Sequence, residues 1–230
     1  MNRTADVVIV GAGVIGSATA FELAKRGYKT LNIDKLPASG YGSTSNSCAI
    51  VRAHYSTWDG VAMAYEGFFY WDDWNKYLEV EDERGMAKYM KTGSIMFMLK
   101  GADHSKKSLN LFKEIGVEHE IWDLETLKKK MPIYSHDSYN GTSRPDEDDS
   151  FFDKSGDQIE GAVWTPGSGY VSDPQLATHN LQVATEAKGG EFLFDAEITE
   201  IRQSNGQIQG VTLKSGEQID CKVLVNVAGP

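Results

Sequence analysis

The stretch Asp6-Val-Val-Ile-Val-Gly11-Ala-Gly13-Val-Ile-Gly16 decides how this chain is read. Val7 to Val10 is a continuous apolar run, as a parallel strand buried on both faces requires, and Ser17 to Lys25 is rich in helix formers and stops near Gly27. Between them stand three glycines at the spacing of a dinucleotide turn. Gly11 permits the tight turn, Gly13 admits a pyrophosphate and Gly16 lets helix and strand pack closely. The anion would lie against free backbone N–H groups at the positive end of the helix dipole.

Such a glycine pattern gains weight only from its context. Here a second strand, Lys29 to Asp34, follows the helix and ends in a carboxylate. Asp34 falls at about the 20-residue distance expected of an acid that accepts hydrogen bonds from an adenosine ribose. A carboxylate there also argues against a 2′-phosphorylated ribose, because like charges would meet.

The remaining composition narrows the function. The 230 residues are 40% hydrophobic and 24% charged, enough for a real core in one or two domains. No apolar run approaches bilayer length and no signal-peptide pattern opens the chain, so a cytoplasmic protein is expected. Cys48 and Cys221 are far apart in unrelated contexts, which fits reduced thiols and no cysteine-based metal cluster. A formal charge of −10 disfavours nucleic acid or an anionic membrane as partner. The acidic run Asp146 to Asp149 lacks the alternating ligands and turn glycine of a calcium loop and reads as solvated loop, so no metal is expected. The Asn140-Gly141-Thr142 sequon reads as accidental.

Further along, Ser39 to Ser47 is a polar loop of small residues, followed by Cys48 to Val51 and then Arg52-Ala-His54-Tyr55. Trp58 to Leu78 carries aromatics spaced as one face of a long amphipathic helix. Thr92 to Leu99 reads as a strand, Ser105 to Ile115 and Leu124 to Lys130 as helices, and Ile133 to Gly161 as a long loop. Asp173-Pro174 opens a helix over Gln175 to Lys188 through an N-cap Asp and a first-turn Pro. From Glu191 onward strand signals recur with Asn205-Gly206 and Ser215-Gly216 as hairpin turns, a β-meander that leads into the buried-strand run Lys222 to Val227 and the ending Ala228-Gly229-Pro230.

Taken together, the glycine turn, Asp34, the Ser/Thr loop with Arg52, the Asp173-Pro174 helix start, the meander and the Val-Asn-Val-Ala-Gly-Pro ending resemble the D-amino-acid oxidase and sarcosine oxidase family. Gly42 to Ser56 resembles more narrowly the flavin loop of the sarcosine oxidase and dimethylglycine dehydrogenase branch. The resemblance implies an α/β fold: a Rossmann-like, glutathione-reductase-like FAD-binding domain with a β-meander, plus part of an α+β substrate domain. It divides the chain into a first FAD-binding segment over 1–85, a partial substrate or cap domain with the acidic loop over 86–160, and a second FAD-binding segment over 161–230.

Family members of this kind bind FAD and oxidise the C–N bond of small amino acids or N-methyl amines such as sarcosine, dimethylglycine or glycine, giving an imine that water hydrolyses. By this resemblance the cofactor residues are Gly11, Gly13, Val14, Ile15, Gly16, Asp34, Lys35, Ser43, Thr44, Ser45, Ile198, Ala228 and Gly229. Arg52 matches an arginine that holds the substrate carboxylate, and a guanidinium suits that task because two parallel hydrogen bonds fix orientation as well as charge. If Ile50 to Tyr55 is extended, His54 shares a face with Arg52 and would reach flavin or substrate.

Two departures from the family pattern bear on the cofactor. Asn46 stands where the dimethylglycine dehydrogenase branch has a histidine bonded to the flavin, so FAD is expected to be non-covalent. Ser172 stands where heterotetrameric sarcosine oxidases attach FMN, so no second flavin is expected. The resemblance covers an amino-terminal part of the family fold, and an unfilled sheet edge at Val227 would favour association with a complementary chain or a second copy. Two other functions fit the same residues: an FAD-dependent 2-hydroxy-acid or glycerol-phosphate dehydrogenase, and a flavin-binding subunit without turnover.

Overall fold

A computed structural model describes residues 3–101, 103–139 and 144–230, so the Asn140-Gly141-Thr142 sequon lies outside the described residues. The chain divides into two compact units, one of residues 1–50, 70–89 and 171–230 and the other of residues 51–69 and 90–170. Residues 161–170 thus fall in the second unit.

The first unit is built on a four-stranded parallel sheet in the order Glu191–Leu193, Thr30–Ile33, Val7–Val10, Val223–Asn226. Val8 lies in register with Leu31 on one side and Leu224 on the other. Its two faces have different covers, which is why Val7–Val10 is apolar without alternation. Val8, Leu31 and Ile33 point into a core with Val211, Leu213 and Ile219 of the meander, while Val7 and Ile9 point the other way, against Ala20 of the helix Val14–Lys25. That helix packs along the helix Pro174–Ala187, which starts as its sequence predicts: Asp173 Oδ1 accepts the Leu176 N–H at 2.9 Å, with Pro174 in the first turn.

The meander itself runs through Ile198–Ser204, Gln207–Leu213 and Gln218–Asp220, with Arg3–Thr4 added in parallel to the last. Ser204 pairs with Gln207, so Asn205-Gly206 is a two-residue turn, with φ of 52° and 73° as the strand twist demands. The strand Glu191–Leu193 is a correction to the sequence reading, which placed it in the meander. It joins the parallel sheet because Phe192 feeds the helix-side core and Leu193 the meander-side core.

The second unit centres on a three-stranded antiparallel sheet with Gly161–Thr165 between Ser94–Met98 and Glu120–Asp123. Helix Asp103–Ile115 buries Phe112 with Met96 and Val163 on one face, and helix Leu124–Lys130 buries Leu127 with Trp122 and Ala162 on the other. Two further expectations are corrected. The presumed loop over 133–161 holds a hairpin, Asp137–Tyr139 with Lys154–Gln158. Its second strand is exposed along its whole length and held by the Lys154–Asp137 ion pair, so no apolar alternation betrays it. The long helix expected over 58–78 is two, Trp58–Asp72 and Trp74–Leu78, broken at Asp73 with φ −111° and ψ 39°. Val61 and Phe68 are buried residues of the second unit, and Trp74 and Leu78 are buried residues of the first.

Among the described residues no helix is long and apolar enough to cross a membrane. In the first unit, Asp82 ties segment 74–87 to the helix Pro174–Ala187. Its buried carboxylate accepts from His179 Nδ1 at 2.6 Å, Asn180 Nδ2 at 2.8 Å and the Arg84 N–H at 2.9 Å, while Asn180 Oδ1 accepts from the Ala87 N–H at 2.9 Å. Burial opposes the charge of Asp82, but these donors outweigh it and hold the carboxyl below its usual range. Stability from this group is therefore complete above about pH 4 and lost as the pH falls through the lower native value. Replacing Asp82 by Ala leaves buried donors unpaired and should cost about 3 kcal/mol, read as a lower urea midpoint at pH 7. D82N should flatten the acid limb of the Tm against pH curve relative to wild type.

Candidate functional site

The glycine turn sits where three backbones come closest. Gly11 has φ +110°, and a Cβ there would lie 2.5 Å from the Val227 carbonyl oxygen. A Cβ on Gly16 would lie 2.1 Å from the Gly11 carbonyl oxygen, so the first helical turn rests directly on the end of the strand. Gly13 differs. Its Cβ would meet only the Thr44 hydroxyl, at 3.2 Å, and its backbone is extended ahead of the helix.

No side chain of Gly13 can cap the helix, and Thr44 of the polar loop does so instead, its Oγ1 accepting the Val14 N–H at 3.1 Å. The first backbone bond of the helical ladder runs from the Ser17 N–H to the Gly13 carbonyl at 2.9 Å. The Ile15 and Gly16 N–H groups therefore precede the helical ladder, at the positive end of the dipole. The Ile15 side chain is exposed, so Ile15 contributes backbone here.

Asp34 closes the other side of the turn. Its Oδ2 accepts the Ala12 N–H at 2.7 Å and its Oδ1 the Leu36 N–H at 2.9 Å, and each oxygen retains acceptor capacity. Asn32, which the sequence reading passed over, donates from Nδ2 to the Gly11 carbonyl at 3.2 Å while fully buried. Its signal was a polar residue inside the buried run Thr-Leu-Asn-Ile. The loop is anchored by the Gly40 N–H on the Ala12 carbonyl at 2.8 Å, and Ser43 and Gly229 approach each other, a Gly229 Cβ falling 3.9 Å from Ser43 Oγ.

Other predicted positions stand further out. Ser45 is exposed, with its hydroxyl on the Gly42 carbonyl at 3.1 Å, and Asn46 donates to the same carbonyl at 3.1 Å. Lys35 is exposed and borders a shallow cleft with Leu193 to Glu197. Ile198 packs against the meander core, and the Ala228 N–H donates to Asn226 Oδ1 at 3.3 Å. The structure thus gathers Gly11, Gly13, Val14, Gly16, Asp34 and Thr44 around one turn, and leaves Ser45 facing its own loop. Among the described residues no group of three or more His, Cys, Asp or Glu is placed to hold a metal ion.

Arg52 and His54 belong to the second unit. They do not share a face: the strand stops at Val51, and a Tyr55 N–H to Ala53 carbonyl bond of 2.9 Å turns the chain at His54. Arg52 is exposed, its guanidinium 6.0 Å from the Tyr55 ring and without an ion-pair partner among the described residues. His54 is buried, with Nε2 3.0 Å from Thr165 Oγ1. Burial first, then the charges of Arg52 and His104, lower its pKa to about 4.

Comparison with known proteins decides the family. The model of the family described as DAO, FAD dependent oxidoreductase, matches residues 6–230. This chain is a member of the DAO family. It is 26% identical over 200 residues to monomeric sarcosine oxidase of Streptomyces avermitilis, covering 86% of this chain and 45% of that protein. It is 25% identical over 243 residues to D-amino acid dehydrogenase of Rhodopseudomonas palustris, covering 91% of this chain and 56% of the other. The chain therefore spans about half the length of these curated relatives. The crystal structure of L-proline dehydrogenase from P. horikoshii shares the fold, with a TM-score of 0.78 at 22% identity, over 100% of this chain and 54% of that one.

The cradle fits the cofactor of the DAO family: unladdered amides and a hydroxyl flank the Gly13 opening, and an acid with spare acceptor capacity lies across the turn. Gly16→Ala should force the helix off the strand end, cost about 3 kcal/mol or more and abolish FAD uptake. Gly27, at φ +86° with nothing within 4 Å of a Cβ, is the control. Gly27→Ala should cost about 1 kcal/mol and leave FAD titrations by flavin fluorescence unchanged.

Proposed function

We propose that this chain carries the cofactor-binding part of an FAD-dependent oxidoreductase that oxidises the C–N bond of a small amino acid or N-methyl amine of the sarcosine, dimethylglycine or glycine class. The observation that carries this reading is Arg52: an exposed guanidinium with no ion-pair partner among the described residues, on a segment whose next two residues are buried. Sarcosine and D-amino acids, named in the relatives' descriptions, share a carboxylate one carbon from the amine. A guanidinium recognises that carboxylate in two parallel hydrogen bonds and so fixes the direction in which the amine-bearing carbon points.

In this reading Gly13, the Ile15 and Gly16 amides and Thr44, which holds the Val14 amide, cradle the pyrophosphate, and Asp34 accepts from the ribose. Bound FAD supplies the acceptor for the hydrogen and electron pair that leave the carbon beside the nitrogen. The chain's own contribution is binding and orientation. Asn46 supports a non-covalent cofactor, because a carboxamide nitrogen is not a nucleophile and here donates to the Gly42 carbonyl.

Acid precipitation of the FAD-loaded protein should release all flavin into the supernatant; flavin left in the pellet would overturn the non-covalent reading. Sarcosine, dimethylglycine and glycine should perturb the flavin spectrum, R52K should raise the half-saturating concentration about tenfold or more, and R52A should remove the response. A response to 2-hydroxyglutarate with none to the amines would transfer the site to hydroxy-acid oxidation.

A further inference from the structure

Beside Arg52 the second unit buries a polar cluster to which the oxidation proposed above gives no role. Thr165 and Ser168 are fully buried, and His54 is 8% exposed. His54 Nε2 lies 3.0 Å from Thr165 Oγ1 and 3.5 Å from Ser94 Oγ, and Thr165 Oγ1 lies 2.9 Å from both Ser94 Oγ and Ser168 Oγ. Thr165 is the hub. The Ser94 carbonyl lies 3.4 Å from the same oxygen, so four polar neighbours share one proton and two lone pairs and the hydroxyl is fully engaged.

The cluster is attached to the sheet rather than to a loop. Thr165 and Ser94 are register partners at the ends of their strands, and the Gly93 N–H holds the Ser168 carbonyl at 2.8 Å. Helix Asp103–Ile115 places the Phe112 ring 5.7 Å from the His54 ring and donates Ser108 Oγ to the Tyr55 carbonyl at 3.1 Å. Ala53 between them is fully buried. Residues 53–55 are thus clamped between sheet and helix, and Arg52 is the exposed residue just ahead of the clamp.

We propose that His54 is a positioning residue: keyed into the hydroxyl cluster of Thr165, Ser94 and Ser168, it fixes the backbone from which Arg52 reaches the substrate carboxylate. The inference rests on the Arg52 reading given under Proposed function. It assigns His54 no proton transfer, in keeping with an imidazole that is neutral at pH 7. A neutral ring accepts from or donates to Thr165 without a second positive charge beside Arg52. The charged groups bearing on the ring are Arg52 on its own segment and His104 on the packed helix, while the sheet presents only hydroxyls.

The test is a titration of acetate, the simplest carboxylate, into the FAD-loaded 230-residue chain, read by the Arg52 Nε–H resonance and the amides of residues 51–55. R52A should abolish the acetate response; an R52A protein that binds as wild type does would overturn the Arg52 reading, as would a wild type that shows no response. With that reading intact, T165V should weaken acetate binding at least fivefold with strand 161–165 amides unchanged, and T165S, which restores the hydroxyl, should return within twofold of wild type. H54Q should behave as T165V does. Wild-type acetate affinity in T165V or H54Q would overturn the positioning role alone, and so would a T165S variant as weak as T165V. Should T165V fail to fold, H54Q and T165S decide the outcome by the same criteria.

Discussion

The close approach of three backbones at Gly11 governs the first unit. The strand Val7–Val10 ends there, the helix Val14–Lys25 starts on its carbonyl through Gly16, and the end of strand Val223–Asn226 passes at Val227. No side chain can be inserted at either glycine without separating a pair of these elements. Contact this tight forgoes side-chain packing, and the hydrogen bonds around it take over the task of fixing the geometry. Asp34 holds the Ala12 N–H, Asn32 the Gly11 carbonyl, and Val227 donates its N–H to the Val10 carbonyl at 3.0 Å.

On the reading proposed above, that arrangement preorganises a site for the pyrophosphate. Helix amides at the start of a ladder need partners. Thr44 satisfies one of them, at Val14, and leaves the next two outside the ladder at the positive end of the dipole. Asp34 has its backbone partners on one edge of each oxygen, so its orientation is set while it retains acceptor capacity. Both devices cost little at the time of binding because the ordering is done by the fold.

How far the sequence revealed this depended on whether a feature was local. The buried run Val7–Val10, the glycine spacing, the Asp173-Pro174 helix start and the Asn205-Gly206 turn each rest on a few adjacent residues with one strong conformational preference, and each appears in the structure. Features set by partners distant in sequence were not legible. Glu191–Leu193 has the composition of any short strand, and only Leu31 to Ile33 beside it makes it parallel. Lys154–Gln158 has no apolar face at all. The aromatics of 58–78 suggested one helix because a helical wheel cannot show that Phe68 and Trp74 are buried in different units.

The Arg52–Tyr55 segment shows the same limit at the scale of one turn. The alternation argument that joined Arg52 to His54 is valid only for extended backbone. Here the Ala53 carbonyl bonds the Tyr55 N–H across a single residue, and that turn sends His54 inward while Arg52 stays in solvent. The partners that hold the turned segment are Thr165 and Ser94 at His54 and Ser108 at the Tyr55 carbonyl, residues 40 to 111 positions away. The consequence is chemical as well as geometric. A histidine beside an arginine in an exposed loop would be read as an acid or base, whereas one desolvated among hydroxyls, with a pKa of about 4, is a neutral hydrogen-bonding group at pH 7. Two residues that look like a catalytic pair in sequence are separated by the fold into one that meets solvent and one that holds the chain in place.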